Sequence, residues 1–234
     1  ADVRRMLATM KADVFTARAI ALDCAVAIDM GRATGEPEWQ ARAAFLTPIA
    51  KAFGTDTGCA VSEMGVQVHG GMGYVEETGA AQYYRDVRVT AIYEGTNGIQ
   101  AMDMVGRKLM DGGEAANRLL DEIEAFADTA KTTLPDLAEA VWDAAESLRE
   151  TTDWLVAQPM ADRFGTTVPY LRAFARVLGG HYHLRAAMAD PEGAHGRLAR
   201  FYITRMLPEH AGLLAHVRAG GEGLMEISPD DLAA

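Results

Sequence analysis

Only two cysteines, Cys24 and Cys59, and four lysines occur in the 234 residues. The cysteines stand singly, with no C-x-x-C pair and no histidine at ligand spacing, so neither a disulfide framework nor a zinc site is expected. They suit small buried side chains in a reducing compartment. The sequence is also short of positive charge: 22 basic residues face 33 acidic ones, a net charge of -11. That balance argues against nucleic acid as the main partner, because phosphate backbones are gripped by basic faces. No apolar run approaches the ~20 residues that a membrane-spanning helix needs. No stretch of useful length alternates apolar and polar residues as a half-buried strand does. The first residues, ADVRRML, have neither the apolar core of a signal peptide nor the acid-poor character of a transit peptide, and the sequence is read as the interior of a longer polypeptide.

What is present is helical periodicity. Val3, Leu7, Met10, Val14, Ala17, Ala21, Cys24 and Ile28 recur at gaps of four and three, which predicts one long amphipathic helix ended by Gly31. A second helix is expected to start near residues 38 to 41 and run through RAAFLTPIAKAF toward SEMGVQV, with Pro48 as the place for a kink. VHGGMGYVEETG then interrupts the pattern with glycines, which admit close backbone approach or positive φ. AAQYYRDVRV reads as a short helix or turn, and the pattern resumes from Ile99 to Leu109. DGGE at 111 to 114 is taken as the boundary between a domain of residues 1–110 and a second of residues 111–234. Three further stripes follow, through Leu119, Ile123 and Phe126, through Val141, Ala144 and Leu148, and through Leu171, Phe174 and Leu178. A fourth is expected from Leu198 to Leu214 with Pro208 inside it. The fold class is therefore all-α, a helical bundle followed by a second helical bundle.

One acidic residue stands apart chemically. In AIYEGTNGIQ, residues 91 to 100, Glu94 lies between Tyr93 and Gly95 with no other charged group in the ten. A carboxylate removed from water rises from its ordinary pKa of ~4.3 toward ~6–7, where it serves as a general base near neutral pH. The plainer reading is a surface glutamate at the start of a helix, where acids are favoured electrostatically.

Three segments in order, QVHGGMGY at 67–74, QYYRDVRV at 82–89 and IYEGTNGIQ at 92–100, resemble the C-terminal signature of the acyl-CoA dehydrogenases. The similarity extends back through DVRRMLATMKADVFTARAIAL and LTPIAKAFGTD, so that it covers residues 1 to about 110. Residues 111–234 more loosely resemble the extra helical domain of longer members, including those acting on methylthiopropanoyl-CoA. The resemblance implies FAD-dependent α,β-dehydrogenation of an acyl-CoA thioester. Glu94 would take the α-proton, with its own backbone N–H polarising the thioester carbonyl. Gly95 would leave room for the thioester, and Tyr93 would line the acyl pocket or simply pack in the core. Gln67, Val68, His69, Gly70 and Gly71 would meet the adenine-dinucleotide half of FAD across a subunit interface, and Thr96, Asn97 and Gly98 would also lie against FAD. Many relatives carry Gln where this chain has Gly98. His69 is read as a space-filling neighbour, and Arg85 with Asp86 as a structural ion pair or turn.

The stripe from Val3 to Ile28 and the glycine segment predict a self-associating surface, hence a homodimer or homotetramer. The bias to arginine over lysine with abundant alanine points to a bacterial source, for which a cytoplasmic location is expected, and the resemblance implies an electron-transfer flavoprotein or similar acceptor. It also implies an N-terminal helical domain and a middle β-domain, both expected before Ala1 and the latter holding the flavin ring. The alternative of a different class is a non-catalytic helical oligomerisation or binding module that keeps the signature by descent.

Overall fold

The computed structural model describes residues 1–224 and 226–233. Among them every regular element is helical, as the sequence predicts. Helices α1 (Asp2–Thr34) and α2 (Pro37–His69), each 33 residues, pack against one another as an antiparallel hairpin about 50 Å long at 1.5 Å per residue. The turn between them follows from two residues. Gly35 takes a left-handed conformation at φ 74° and donates its N–H to Gly31 O at 3.1 Å, and Pro37 starts α2 with φ already preset. Gly31 therefore lies inside α1, three residues before its end. Its expected stop fails because α1 and α2 are tightly packed there: a Cβ at Gly31 would sit 3.3 Å from Gln40 Cγ.

Helix α2 runs unbroken through Pro48, where a kink was expected. The proline ring crowds the preceding turn. The carbonyl that loses its N–H partner is Ala44 O, four residues before Pro48; the neighbouring Ala43 O receives Thr47 Oγ1 at 2.7 Å and is approached by Cys24 Sγ at 3.8 Å from α1. The apolar stripe of α1 is also corrected. The face turned inward carries Met6, Ala12, Asp13, Thr16, Ile20, Cys24, Ala27 and Gly31, whereas Val3, Leu7, Val14 and Ile28 are exposed. Close helix packing selects small residues for most of that face, and Val3, Leu7, Val14 and Ile28 are left on the outer one, uncovered by this chain.

After α3 (Gly71–Tyr74) and α4 (Ala80–Arg88), α5 (Asn97–Asp103) returns to pack on α2 and runs into a π-helical turn at Met104–Lys108. Arg85 does not pair with Asp86: it reaches Glu76 and Gln82, while Gln82 Nε2 donates to Asp86 at 2.8 Å. The remaining helices are α6 (Glu114–Ala130), α7 (Pro135–Val156), α8 (Met160–Gly165), α9 (Thr167–Ala189), α10 (Ala194–Arg205), α11 (Glu209–Arg218) and the short α12 (Pro229–Ala233). The expected single helix from Leu198 to Leu214 is two, broken at Met206–Pro208 because proline cannot supply the next N–H.

Helix α9 is the hub. It touches α1, α2, α5, α6, α7, α10 and α11, and it is buried nearly all round from Tyr170 to Leu184. A helix without a polar face belongs in the middle of a bundle. Gly179 permits the closest approach, since a Cβ there would lie 2.1 Å from Tyr202 Oη and 2.7 Å from Thr16 Cγ2. One hydrophobic cluster thus runs from Ala12 to Val217 and passes across the DGGE segment.

Charged and polar groups join the two sequence segments inside this core. Arg42 on α2 forks onto Asp23 at 2.9 and 2.7 Å and reaches Glu122 on α6 at 2.6 Å, and the Tyr182 hydroxyl donates to Asp23. His181 and Arg42 beside Glu122 hold its carboxyl down at about 2. His183 is 1% exposed, stacks on Tyr202 with ring centroids 4.3 Å apart, and lies 3.2 Å from Ala12 O. Burial depresses its pKa from 6.5 to about 4. Between those values the unfolded chain binds a proton that the folded one refuses, so stability is full above pH 6.5 and is lost as pH falls through 4. A drop from pH 7 to pH 5 is expected to cost ~2 kcal/mol through this group at 1.36 kcal/mol per pH unit. Urea unfolding at the two pH values tests it: His183→Phe should flatten that difference, and an unchanged slope in the variant would assign the acid sensitivity elsewhere.

Candidate functional site

The segment around Glu94 is fixed from below by α2. Glu94 is the one non-glycine residue with positive φ among the described residues, at 55°, and Gly95 follows at 83°. Two successive left-handed residues turn the chain sharply, and only the second is glycine. For an L-residue with a Cβ this conformation costs roughly 1–2 kcal/mol. Gly95 is thus required by its own backbone, in addition to any need to spare room above it. Gln100 Nε2 donates to Glu94 O at 3.0 Å, Lys51 Nζ to Gly95 O at 2.7 Å and to Asn97 Oδ1 at 2.8 Å. Asn97 Nδ2 donates to Thr55 Oγ1 at 2.9 Å and Asp56 at 2.6 Å. Thr96 then caps α5, its hydroxyl oxygen accepting the Ile99 N–H at 3.4 Å.

Sequence reasoning missed this anchor. Lys51, Thr55 and Asp56 sit at i, i+4 and i+5 of α2 and converge on Asn97, but nothing in their own spacing marks them as neighbours of residue 97. The only hint was the rarity of lysine. Asn97 directs its amide to α2, so it acts as a clamp for the loop. Asn97→Ala should cost ~1–3 kcal/mol by leaving these polar partners unmatched. Hydrogen exchange should show residues 92–98 losing protection first, and unchanged protection there would remove the clamp from the account.

Glu94 and Gly95 line an open cleft of about 700 Å³ together with Ile99, Gln100 and Met102 and with Ala44 and Thr47 of α2. Phe164 of α8 also lines it and meets the π-helical turn, where a Cβ at Gly106 would lie 3.0 Å from its ring. The apolar enclosure expected around Glu94 is not made by this chain: Glu94 is exposed, and Tyr93 and Ile92 are 54% and 52% exposed. Tyr93 is therefore not a core tyrosine here. The Glu94 backbone N–H has no acceptor among the described residues.

The second expected group lies elsewhere. Gln67, Val68 and His69 form the last turn of α2, and Gly70 caps it at φ 62° with its N–H on Gln67 O at 3.1 Å. From Thr55 to Gln67 the helix axis advances about 18 Å at 1.5 Å per residue, so residues 67–71 and 93–98 do not share a pocket within one chain. Gly70 and Gly71 are exposed, and a Cβ at either would meet nothing within 4 Å, which leaves their backbone open to a ligand. His69 turns back on its own helix, its Nδ1 2.7 Å from Gly65 O. Thr96 and Gly98 are exposed beside the Glu94 cleft. Among the described residues no cluster of His, Cys, Asp and Glu is arranged to hold a metal ion, and no helix is long and apolar enough to cross a membrane.

Comparison with known proteins agrees with this arrangement of helices and sequence. Residues 1–110 match the family described as acyl-CoA dehydrogenase, C-terminal domain, and residues 119–228 match acetyl-CoA dehydrogenase C-terminal like. The chain belongs to the acyl-CoA dehydrogenase family, as a C-terminal portion. Among its relatives is the 3-methylmercaptopropionyl-CoA dehydrogenase of Ruegeria pomeroyi, 37% identical over 211 residues that cover 86% of this chain and 36% of that protein. A butyryl-CoA dehydrogenase of Syntrophomonas wolfei is 31% identical, covering 90% of this chain and 38% of its own length. The chain thus spans little more than a third of these relatives. In structure it is similar to Caenorhabditis elegans ACDH-11, solved with C11-CoA, with a TM-score of 0.73 at 20% identity over 85% of this chain and 35% of that one. That likeness supports the all-α fold.

Proposed function

We propose that this chain supplies the base-bearing part of a flavin-dependent acyl-CoA dehydrogenase, with Glu94 removing the α-proton of an acyl-CoA thioester. The observation that carries the reading is Glu94 itself: held in a left-handed turn, on the wall of an open cleft, with an unengaged backbone N–H. The Glu94 N–H can donate to the thioester carbonyl, which stabilises the negative charge that develops there as the α-proton leaves. Its carboxylate, on the same residue, is the acceptor for that proton. Gln100 and Lys51 fix the backbone carbonyls of Glu94 and Gly95, so both groups are presented without rearrangement. Desolvation of the carboxylate, which would raise its pKa, falls to whatever covers Tyr93 and Ile92 in the assembled enzyme.

FAD, when bound, supplies the acceptor for the β-hydride. The open backbone at Gly70 and Gly71 fits a nucleotide contact, with Gln67, Val68 and His69 beside it, and Thr96 and Gly98 fit a contact near the cleft. Because the two groups stand about 18 Å apart along α2, each would serve a different part of the cofactor or a different copy of it. We propose residues 1–110 as the catalytic helical domain and 111–234 as the appended one, with Phe164 of the latter closing the substrate cleft. A homodimer or homotetramer, an electron-transfer flavoprotein as acceptor and a reducing cytoplasmic setting complete the reading. The unpaired Cys24 and Cys59 suit the last of these.

The chain by itself is expected to bind FAD weakly and to leave acyl-CoA unoxidised. Association costs ~4–15 kcal/mol, to be met here from a fraction of the contacts. Fluorescence titration with FAD and an acyl-CoA panel with an artificial electron acceptor test this. Micromolar affinity with turnover would mean that no further protein is needed. The assembled enzyme should turn over in the same assay, and its failure with every acyl-CoA would favour the non-catalytic binding module.

A further inference from the structure

A cavity of about 280 Å³ lies in the seam between the two sequence segments, bounded by α1, α2, α5 and α9. Small side chains leave the space: Ala52 and Ala60 of α2 and Ala101 of α5 all line it. Phe53, Met64 and Leu171 give it an apolar lining. At the low edge of the ~300–1,000 Å³ of ordinary ligand pockets, it has room for a small metabolite and none for a dinucleotide. It shares no lining residue with the Glu94 cleft.

Four charged groups and a hydroxyl also line it, and each keeps unused bonding capacity. Thr57 is 7% exposed and its hydroxyl has no hydrogen-bond partner among the described residues. Thr47 and Thr55 on the same helix return theirs to the carbonyl four residues back. Arg176 commits Nε to Glu209 and Nη1 to Asp13, which leaves Nη2 without an acceptor and Asp13 Oδ2 without a donor among the described residues. Arg172 engages Glu209 through Nη2 at 2.6 Å, and its other nitrogens are uncommitted. Asp56 accepts the Asn97 amide at 2.6 Å and pairs with no cation among the described residues. Polar groups as buried as Asp13, Thr57 and Arg176 are costly to leave unmatched.

The unmatched groups are of two kinds. Arg172, Arg176 and Thr57 can donate, whereas Asp13 and Asp56 can accept. A lone anion would meet the aspartates and a lone cation the arginines. A molecule with an ammonium and a carboxylate on one carbon answers both sets, and an apolar substituent on that carbon covers Phe53, Met64 and Leu171. We propose that this cavity binds a free α-amino acid with an apolar side chain. Its carboxylate takes the N–H groups of Arg172 and Arg176 and the Thr57 hydroxyl, and its ammonium donates to Asp13 and Asp56, all of them charge-assisted bonds. The site is independent of the chemistry assigned to Glu94.

Isothermal titration calorimetry of the assembled enzyme with L-leucine and L-methionine tests it. Saturable binding with a dissociation constant of ~10⁻⁶–10⁻³ M is expected. 3-Methylbutylamine is leucine without its carboxylate, and 4-methylpentanoate is leucine without its ammonium. Each should bind ~10-fold or more weakly, because each leaves one set of buried groups unmatched. Thr57→Val keeps the shape and removes the hydroxyl, and Arg172→Gln removes one cation; each should weaken leucine ~10-fold. Ala60→Phe fills the cavity from an exposed position of α2 and should abolish binding, with an unchanged melting temperature showing that the fold is intact. No heat from either amino acid at ~10 mM would leave the cavity to solvent. Equal binding of the amine or the carboxylate would make it a site for a single charge, and leucine binding unaltered in all three variants would put the ligand elsewhere; each of these results overturns the proposal.

Discussion

Replacing Glu94 by Gln in the assembled enzyme is expected to lower turnover by ~10²–10⁴, the usual worth of a positioned base. The amide keeps the shape of the side chain and loses the proton acceptor. Folding should be untouched, because the bonds that hold the turn run through backbone oxygens: Gln100 to Glu94 O and Lys51 to Gly95 O. Flavin content and CoA affinity should therefore stay near those of the wild type while the rate falls. A rate within about tenfold of wild type would remove Glu94 as the base. A second substitution separates chemistry from architecture. Glu94→Gly relieves the left-handed backbone at φ 55°, worth roughly 1 kcal/mol, so it should raise thermal stability while abolishing turnover. Strain retained at a residue that could be relieved so simply is what a functional position is expected to show.

The helices were legible in the sequence because burial repeats at the helical period, and in α6, α7 and α9 the large apolar residues of each stripe are inside, with Phe126 at the margin. The rule failed in α1 for a physical reason. There most of the inward residues are small or polar, Ala12, Asp13, Thr16, Ala27 and Gly31, because α2 and α9 approach closely; Met6 and Ile20 are the large ones inside, and Val3, Leu7, Val14 and Ile28 face outward. Periodicity reports that a helix has an apolar stripe; it does not say which neighbour that stripe meets. Pro48 and Pro208 show the same limit. Pro48 is carried inside an unbroken α2 at the loss of the one bond to Ala44 O, and Pro208 breaks the helix between α10 and α11. At the candidate site the isolation of Glu94 was plain in the sequence, but the clamp of Lys51, Thr55 and Asp56 on Asn97 joins residues more than forty apart. The ion pairs that tie residues 1–110 to the rest, Arg42 to Glu122 and Asp13 to Arg176, were invisible for the same reason.

Asp13→Ala is expected to be the most damaging single substitution for stability, at ~3–5 kcal/mol. Asp13 and Arg176 have side chains only 7% and 8% exposed, and Arg176 also donates to Glu209 at 2.6 Å, which Arg172 holds from the other side at 2.6 Å. Taking Asp13 away leaves a guanidinium that burial penalises and that one half-exposed glutamate must then neutralise alone. Asp13 and Glu209 together keep Arg176 charged despite its burial. The pair also joins α1 to α9 and α11, so its loss should loosen the seam between the two sequence segments before either bundle. Hydrogen exchange should show α1 opening ahead of α6 and α7. The informative control is Asp13→Leu with Arg176→Met. A paired apolar replacement restores packing without a charge to desolvate, and such exchanges are often neutral or stabilising by 1–4 kcal/mol. The double variant should therefore recover most of what Asp13→Ala loses in denaturant unfolding. Equal destabilisation in both would mean that the site is held by its shape and its bonds to Glu209, and that the charge on Asp13 contributes little.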